Sequence, residues 1–299
     1  TPPLQTPPLQ TPPLQTPPLQ TPPLQTPPLQ TPPLQTPPLQ TPPLQTPPLQ
    51  TPPLQTPLFI IVEGIIGVGK STLLTQLKRI LEKSTSNIVT IIPEPIDIWN
   101  QTGALSAFYS DPKKYAYEFQ TFVYTTRIMM VNKIVKENPS TDIFLLERSV
   151  ISDRYLFASM LQEDNFFTPL QKIMYDYWCE TWDKFLPFSS PNLFIYLAPS
   201  VEESMKRIKS RNRSGEVVSL DYQEKLFKKH EDMFSKHTVP MHCDTKYKLV
   251  QTDVCSKQGQ EKIFTPVLQL YVDCDYRNDD NHQMFKDIQT LILEKNLCN

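Results

Sequence analysis

The fold is decided by LFIIVEGIIGVGKST, residues 58–72. Its first half is an unbroken apolar run of the kind that buried parallel strands show. It runs directly into GIIGVGKST (64–72), which fits G-x-x-x-x-G-K-[ST] in full. In that pattern the glycines let the backbone around Gly64, Gly67, Val68 and Gly69 curl its N–H groups about phosphate oxygens. The helix that follows adds its positive N-terminus. Lys70 is expected to reach the β- and γ-phosphates and Ser71 to hold Mg²⁺, with Thr72 closing the ATP-binding stretch. The context this motif demands, a strand before and a helix after, is met. The expectation is a bound nucleoside triphosphate, and a chance glycine turn is the weaker reading.

Outward from this loop the chain alternates apolar runs with long helical patterns. IVTII (88–92), IFLLE (143–147), LFIYL (193–197) and PVLQLYVD (266–273) read as further strands. Helical periodicity covers 71–82, 114–136, 168–185 and 200–213, and Ser200 with Glu203 forms a capping box at the start of the last. Strands alternating with helices predict an α/β fold, a five-stranded parallel sheet flanked by helices on both faces. Ligands of such sheets sit outside the carboxyl ends of the strands.

Residues 1–55 stand apart as eleven copies of TPPLQ, with 22 of the 33 prolines and neither charge nor aromatic ring. They read as a disordered N-terminal arm that leans to polyproline II. No P-x-x-P occurs in it, and the five-residue period turns each Leu to a new side of a three-fold helix. A passive arm is therefore favoured over a partner-binding array, although its Thr-Pro dipeptides could gain charge by phosphorylation. All 29 Lys+Arg and 31 Asp+Glu fall in 56–299, long enough for one domain with its own core. The near-neutral balance argues against a nucleic-acid partner. Five scattered cysteines without a C-x-x-C pair fit free thiols in a reducing compartment. No stretch reads as a membrane span or a secretory leader, so the expected location is cytoplasmic.

Two strand ends carry the candidate chemistry. IPEPIDIW (92–99) sets Glu94 between two prolines, which restrict its backbone to extended conformations at the rim of the sheet. LLERSVISDRY (145–155) places Glu147, Arg148, Asp153 and Arg154 near the phosphates. No separate Asp of Walker-B type ends an apolar strand, which makes Glu147 the natural second Mg²⁺ anchor beside Ser71, and Arg148 can neutralise charge on a transferring phosphoryl group. On the helix YEFQTFVYTTRIMMV, Gln120, Val123, Tyr124 and Arg127 share one face at i, i+3, i+4 and i+7. That face suits a planar heterocycle, though a solvated polar face is an equal alternative for the helix taken alone. In KRIKSRNRSGE, Arg207, Arg211 and Arg213 leave a helix towards a Ser-Gly turn and read as a mobile lid over phosphates.

Together, EGIIGVGKST, EPIDIW, FQTF with an Arg seven residues after its Gln, ERSVISDRY, and the Arg-rich segment followed by LDYQEKLFKKHEDMF resemble the deoxynucleoside kinases in order and spacing. The resemblance spans most of 58–234 and thins where 237–262 reads as an insertion before the last strand. It implies a three-layer P-loop kinase fold over 56–299, ATP as donor, Mg²⁺ as cofactor and a homodimer. Glu94 would be the base for the nucleoside 5′-OH, with Arg148 holding that oxygen and the incoming phosphate. Gln120 would pair with the base, Trp99 would wall the pocket, Tyr109 with Glu216 would bind the 3′-OH, and Arg207, Arg211 and Arg213 would close on the donor phosphates. Arg127 with Asp153 resembles the deoxycytidine and deoxyguanosine kinase branch, whereas Val123 is the residue of the pyrimidine-preferring one. The RSGEVVSL segment departs from the family by one missing residue and by Gly215 where an acidic residue is usual.

Three other readings compete. A nucleoside monophosphate kinase of the thymidylate kinase type shares the phosphate loop and a Glu-Pro after strand two, but carries Arg where this chain has Pro93. A non-enzymatic protein, with the arm as its working part and a degenerate kinase scaffold, conflicts with intact Lys70, Glu94 and Arg148. His237, His242, Cys243 and Cys255 match no tetrahedral metal spacing.

Overall fold

A computed structural model describes residues 56–198, 200–211, 218–235, 242–243, 247–255, 265–270 and 283–293. The TPPLQ repeat, Arg213, Glu216, His237, much of the expected insertion and the expected strand end 271–273 lie outside the described residues.

The first half of the chain runs β1 (Leu58–Gly64), α1 (Lys70–Ser84), β2 (Val89–Ile92), α2 (Ile96–Gln101), α3 (Ala104–Ser110), α4 (Pro112–Glu137) and β3 (Ile143–Glu147). Next come α5 (Val150–Ser152), a π-helical turn Asp153–Ala158, α6 (Ser159–Glu163), α7 (Pro169–Asp183) and a 3₁₀ turn Pro187–Ser189. The remainder is β4 (Leu193–Leu197), α8 (Val201–Arg211), α9 (Leu220–Ser235), β5 (His242–Cys243), β6 (Tyr247–Thr252), β7 (Thr265–Leu270) and α10 (Gln283–Leu293). Local chemistry sets the main boundaries. Asp111 caps α4 by accepting from the Lys114 N–H, with Pro112 in the first turn where its missing N–H costs nothing. Thr168 and Gln171 form a reciprocal capping box ahead of α7, again followed by proline. The Ser200 hydroxyl accepts from the Glu203 N–H at 3.3 Å, as its spacing predicted.

The strands form one sheet in the order β2-β3-β1-β4-β7-β6-β5. The five expected strands pair in parallel, with β1 between β3 and β4. Two further strands, β6 and β5, extend the sheet antiparallel beyond β7. They occupy part of 237–262, which the sequence pattern assigned to an inserted loop. YKLVQT has too short an apolar run to stand out as a buried strand, and pairing with β7 supplies its order.

Alternation along β1 builds the three layers. Ile60 and Val62 pack with Leu73, Leu77 and Leu81 of α1 and with Ile288 and Ile292 of α10. Phe59 and Ile61 enter the opposite layer, with Tyr124, Ile128 and Val131 of α4 and Tyr175 and Cys179 of α7. Both faces of the sheet are thus covered, and its carboxyl edge is left for ligands. No helix among the described residues is long and apolar enough to cross a membrane.

Ile60 and Ile61 are adjacent in sequence and fully buried in different layers. Ile60→Ala and Ile61→Ala should therefore each lose about 2–5 kcal/mol in urea unfolding. A loss confined to one of them would rule out a core on both faces.

Candidate active site

The phosphate loop is built on backbone that only glycine adopts readily. Gly64, Gly67 and Gly69 have φ of 144°, 80° and 103°. A Cβ on Gly64 would lie 2.6 Å from the Leu197 carbonyl oxygen, and one on Gly67 would meet Ile208 at 2.7 Å. The loop is therefore pressed against β4 on one side and α8 on the other. Gly69 leads into α1, whose first residue Lys70 is buried, its Nζ donating to the carbonyls of Ile65 (3.2 Å) and Gly64 (3.4 Å). Burial, and then the positive charge of Arg148, push the Lys70 amine down to about 8 against the pull of Glu147, Glu94 and Glu63. Val68 is buried beneath the loop and Thr72 follows in the first turn of α1.

Ser71 and Glu147 meet across this loop. The Ser71 hydroxyl lies 2.9 Å and 3.1 Å from the two carboxylate oxygens of Glu147, at the end of β3. Two adjacent hard oxygen donors facing a phosphate loop suit Mg²⁺, which takes one or two protein oxygens and completes its octahedron with phosphate and water.

IPEPIDIW is the tip of β2, a three-residue elbow (Pro93, Glu94, Pro95) and the first turns of α2. Glu94 is the middle of the elbow: its carbonyl accepts from Ile96 N–H at 2.8 Å, and Pro95 caps α2. Its side chain is gripped by two arginines. Oε1 accepts from Arg127 Nη2 at 3.0 Å, and Arg148 Nε lies at 3.6 Å. Burial alone would raise the Glu94 carboxyl, but Arg148, Arg127 and Lys70 outweigh it and hold it below the usual carboxylate value.

Arg127 is the hub of this arrangement. It pairs with both oxygens of Asp153, Nε to Oδ2 at 2.6 Å and Nη2 to Oδ1 at 3.1 Å, while Nη1 donates to the Glu147 carbonyl at 3.0 Å. Burial opposes its charge, but Asp153 and Glu94 prevail and keep the guanidinium cationic. Asp153 opens the π-helical turn, a local widening that sequence periodicity gave no sign of. Arg148 has a left-handed backbone (φ 63°), rare for a side chain of its size, and stands 4.7 Å over the ring of Phe157 from the same turn.

A cavity of about 430 Å³ joins the phosphate loop to these groups. Gln120 and Val123 line it from α4, Trp99 from α2, Tyr109 from α3, and Arg211 from the end of α8. Gln120 Oε1 is buried without a hydrogen-bond partner. Trp99 is fixed by a 2.9 Å bond from Nε1 to the Thr126 hydroxyl and by an edge-on contact with Phe119.

Three expectations change. Arg154 does not join the phosphate-loop groups: it pairs with Asp183 (3.1 Å) and Glu180 (3.3 Å) of α7. Tyr124 leaves the cavity for the interhelical core, where its hydroxyl bonds Asp183 at 2.7 Å. Arg207 donates to the Val68 carbonyl at 2.8 Å and pairs with Glu203 at 3.0 Å, so its charge is engaged with the loop backbone and with its own helix.

Sequence reasoning also missed several groups. Phe119 and Phe108 stack face to face (4.7 Å) along the cavity, and Phe119 was within reach of the periodicity, four residues before Val123. Tyr222 of α9 lines the same cavity with no spacing signal to announce it. Glu63 lies fully buried behind Arg148, 3.8 Å from its Nη1, and its Oε1 accepts from the Ser149 hydroxyl at 3.1 Å. Burial pushes this carboxyl up to about 7 in spite of Arg148.

Comparison with known proteins adds independent support. The family model described as deoxynucleoside kinase matches residues 60–297. A probable deoxycytidine kinase of Fowlpox virus (strain NVSL) is 28% identical over 223 residues, covering 74% of this chain and 82% of that protein. The mitochondrial deoxyguanosine kinase of Xenopus laevis is 30% identical over 245 residues, 73% of this chain and 82% of that protein. A deoxyadenosine kinase of Dictyostelium discoideum is 32% identical over 175 residues, 58% of this chain and 65% of that protein. A phosphate loop at one end of a cavity and an aromatic-walled slot at the other are what phosphoryl transfer to a nucleoside requires, and the chain belongs to the deoxynucleoside kinase family as an ATP-dependent enzyme.

Proposed function

We propose that the chain transfers the γ-phosphoryl group of ATP to the 5′-OH of deoxycytidine or a purine deoxynucleoside in preference to thymidine, yielding the 5′-monophosphate for nucleotide salvage. The observation that carries this reading is that Asp153, held by the buried Arg127, lines the same cavity as Gln120, whose amide oxygen Oε1 is buried without a hydrogen-bond partner. A fixed cation–carboxylate pair and a side-chain amide offer both donors and acceptors to a base edge that carries an exocyclic amine. Relatives named for deoxycytidine, deoxyguanosine and deoxyadenosine agree with such a site.

Glu94 accepts the 5′-OH proton as that oxygen attacks the γ-phosphorus. The new O–P bond forms as the bond to the β,γ-bridging oxygen breaks, and ADP leaves. Arg148 and Lys70 neutralise charge on the transferring group, and the amides of the Gly64–Thr72 loop hold the donor. Ser71 and Glu147 hold Mg²⁺, which offsets charge on the β- and γ-oxygens when bound. Trp99 and Phe119 wall the base, Tyr109 faces the sugar, and Arg211 approaches the donor from α8. Arg213 on the phosphates and Glu216 on the 3′-OH complete the assignment from outside the described residues. Most of the rate enhancement comes from positioning and charge neutralisation.

The same reading includes a homodimer. On α7, Leu170, Ile173, Met174, Tyr177 and Trp178 are all exposed at i, i+3, i+4, i+7 and i+8, an apolar stripe on the side of the helix opposite its buried Tyr175 and Cys179. A second copy offering the same stripe about a two-fold axis would cover it.

Four outcomes are expected. Glu94→Gln should lower kcat about 10²–10⁴-fold, the usual range for a general base, with a much smaller change in the nucleoside KM. Near-normal turnover would remove Glu94 from that role. With Mg–ATP, the four deoxynucleosides and thymidine monophosphate as acceptors, phosphorylation should favour deoxycytidine or a purine deoxynucleoside. Arg127→Met with Asp153→Ala, which removes both charges of the pair together, should move the kcat/KM ratio towards thymidine; an unchanged ratio would refute the specificity argument, and phosphorylation of the monophosphate alone would favour the thymidylate kinase reading. Light scattering should find a dimer that Ile173→Glu with Tyr177→Glu converts to an active or inactive monomer, whereas a monomeric parent would sink the dimer.

A further inference from the structure

Two polar side chains with no part in the reaction described above converge on the phosphate loop from outside. Ser204 of α8 and Gln223 of α9 are fully buried. The Ser204 hydroxyl donates to the Ile66 carbonyl at 2.5 Å, and Gln223 Nε2 reaches the same carbonyl at 2.7 Å and the Ser204 oxygen at 2.6 Å. One loop carbonyl thus receives two side-chain donors that are themselves bonded to each other. The neighbouring Val68 carbonyl receives the Arg207 guanidinium at 2.8 Å.

These bonds constrain more than the carbonyls they satisfy. A trans peptide is planar, with its C=O and N–H pointing in opposite directions. Holding the Ile66 oxygen outwards therefore turns the Gly67 N–H inwards, to the side where the loop curls. Without a Cβ at 67, and with φ already at 80°, rotation of that peptide meets little steric resistance from the loop itself. A flipped peptide would aim a carbonyl oxygen at the phosphates in place of an amide. Stability alone is a poor account of this cluster, because Gln223 Oε1 is buried with no hydrogen-bond partner, which carries a desolvation cost. Packing keeps the three groups together: the site of a Gly67 Cβ lies 2.9 Å from the Ser204 carbonyl oxygen and 2.7 Å from Ile208, so α8 rests directly on the loop.

We propose that Ser204 and Gln223 are positioning residues that hold the Ile66–Gly67 peptide with its N–H facing the donor phosphates. They touch neither substrate; they act through the backbone of the loop. The inference rests on the reading of Gly64–Thr72 as the donor phosphate site.

Inorganic tripolyphosphate with Mg²⁺ tests it, since that probe engages the phosphate loop without a base or sugar. In calorimetric titrations of the full chain, Ser204→Ala and Gln223→Leu should each raise the tripolyphosphate Kd about 5-fold, the equivalent of one hydrogen bond. The Kd for deoxycytidine should stay within about 2-fold, because the bonds in question do not border the nucleoside. Ser204→Thr, which keeps the hydroxyl, should restore phosphate affinity relative to Ser204→Ala, a rescue that mere packing at this position would not give. Should Gln223→Leu fail to fold, the Ser204→Ala and Ser204→Thr pair decides alone. An unchanged tripolyphosphate Kd in folded Ser204→Ala, or an equal loss of deoxycytidine affinity, overturns the proposal. Lys70→Ala separates the two readings: if it weakens tripolyphosphate binding while Ser204→Ala does not, only the positioning role fails. If Lys70→Ala leaves binding intact, the phosphate-loop reading fails and this proposal with it.

Discussion

One guanidinium joins the strand ends along the carboxyl edge of the sheet. Arg127, projecting from the middle of α4, pairs with both oxygens of Asp153, with the Glu94 carboxylate and with the carbonyl of Glu147. It thereby ties together the end of β2, the end of β3 and the turn that follows β3. A buried cation of this kind holds its partners at fixed angles, and removing one partner of such a network typically costs about 3–5 kcal/mol. The placement of the Glu94 carboxylate and of the cavity wall at Asp153 follows from this network.

Around that hub the site accepts local cost in return for preorganisation. Arg148 takes a left-handed backbone that positions its Nε 3.6 Å from Glu94, and conformations of this kind cost of order 1–3 kcal/mol where the surroundings impose them. Lys70 and Glu63 are both buried, with their ionisation displaced towards neutral pH from opposite sides. Such displacements collect where charge is concentrated away from water, as it must be to stabilise a transferring phosphoryl group. The glycines of the loop are the other half of this bargain: they permit the curled backbone but do not fix it, and α8 and α9 supply the fixing.

Much of this was legible because the relevant signals are local. G-x-x-x-x-G-K-[ST] after an apolar run placed Lys70 and Ser71, and Glu-Arg at the end of another run placed Glu147 and Arg148. The two prolines around Glu94 identified a stiff carboxylate, and the structure resolves that stiffness into an elbow between β2 and α2. The spacing on α4 put Gln120, Val123, Tyr124 and Arg127 on one face; Gln120 and Val123 line the cavity, Arg127 bonds Asp153 and Glu94, and Tyr124 turns into the core. Arg154 was misplaced for a different reason. Its place just after the end of β3 suggested the phosphates, but ion pairs with Asp183 and Glu180 of α7, distant in sequence, take its side chain instead.

By itself the sequence determined the alternation of strands and helices, the phosphate loop, the charged residues at two strand ends and the resemblance to the deoxynucleoside kinases. These are properties of short windows, where residue type and period suffice. Only the tertiary structure decided that Arg127 grips Glu94 and Asp153 together, that Tyr222 and Phe108 complete the cavity, that β6 and β5 extend the sheet, and that Ser204 and Gln223 meet on one loop carbonyl. Each of those depends on residues far apart in the chain brought within hydrogen-bonding or packing distance. Such contacts are chosen by the burial of the whole core, which no short window of sequence contains.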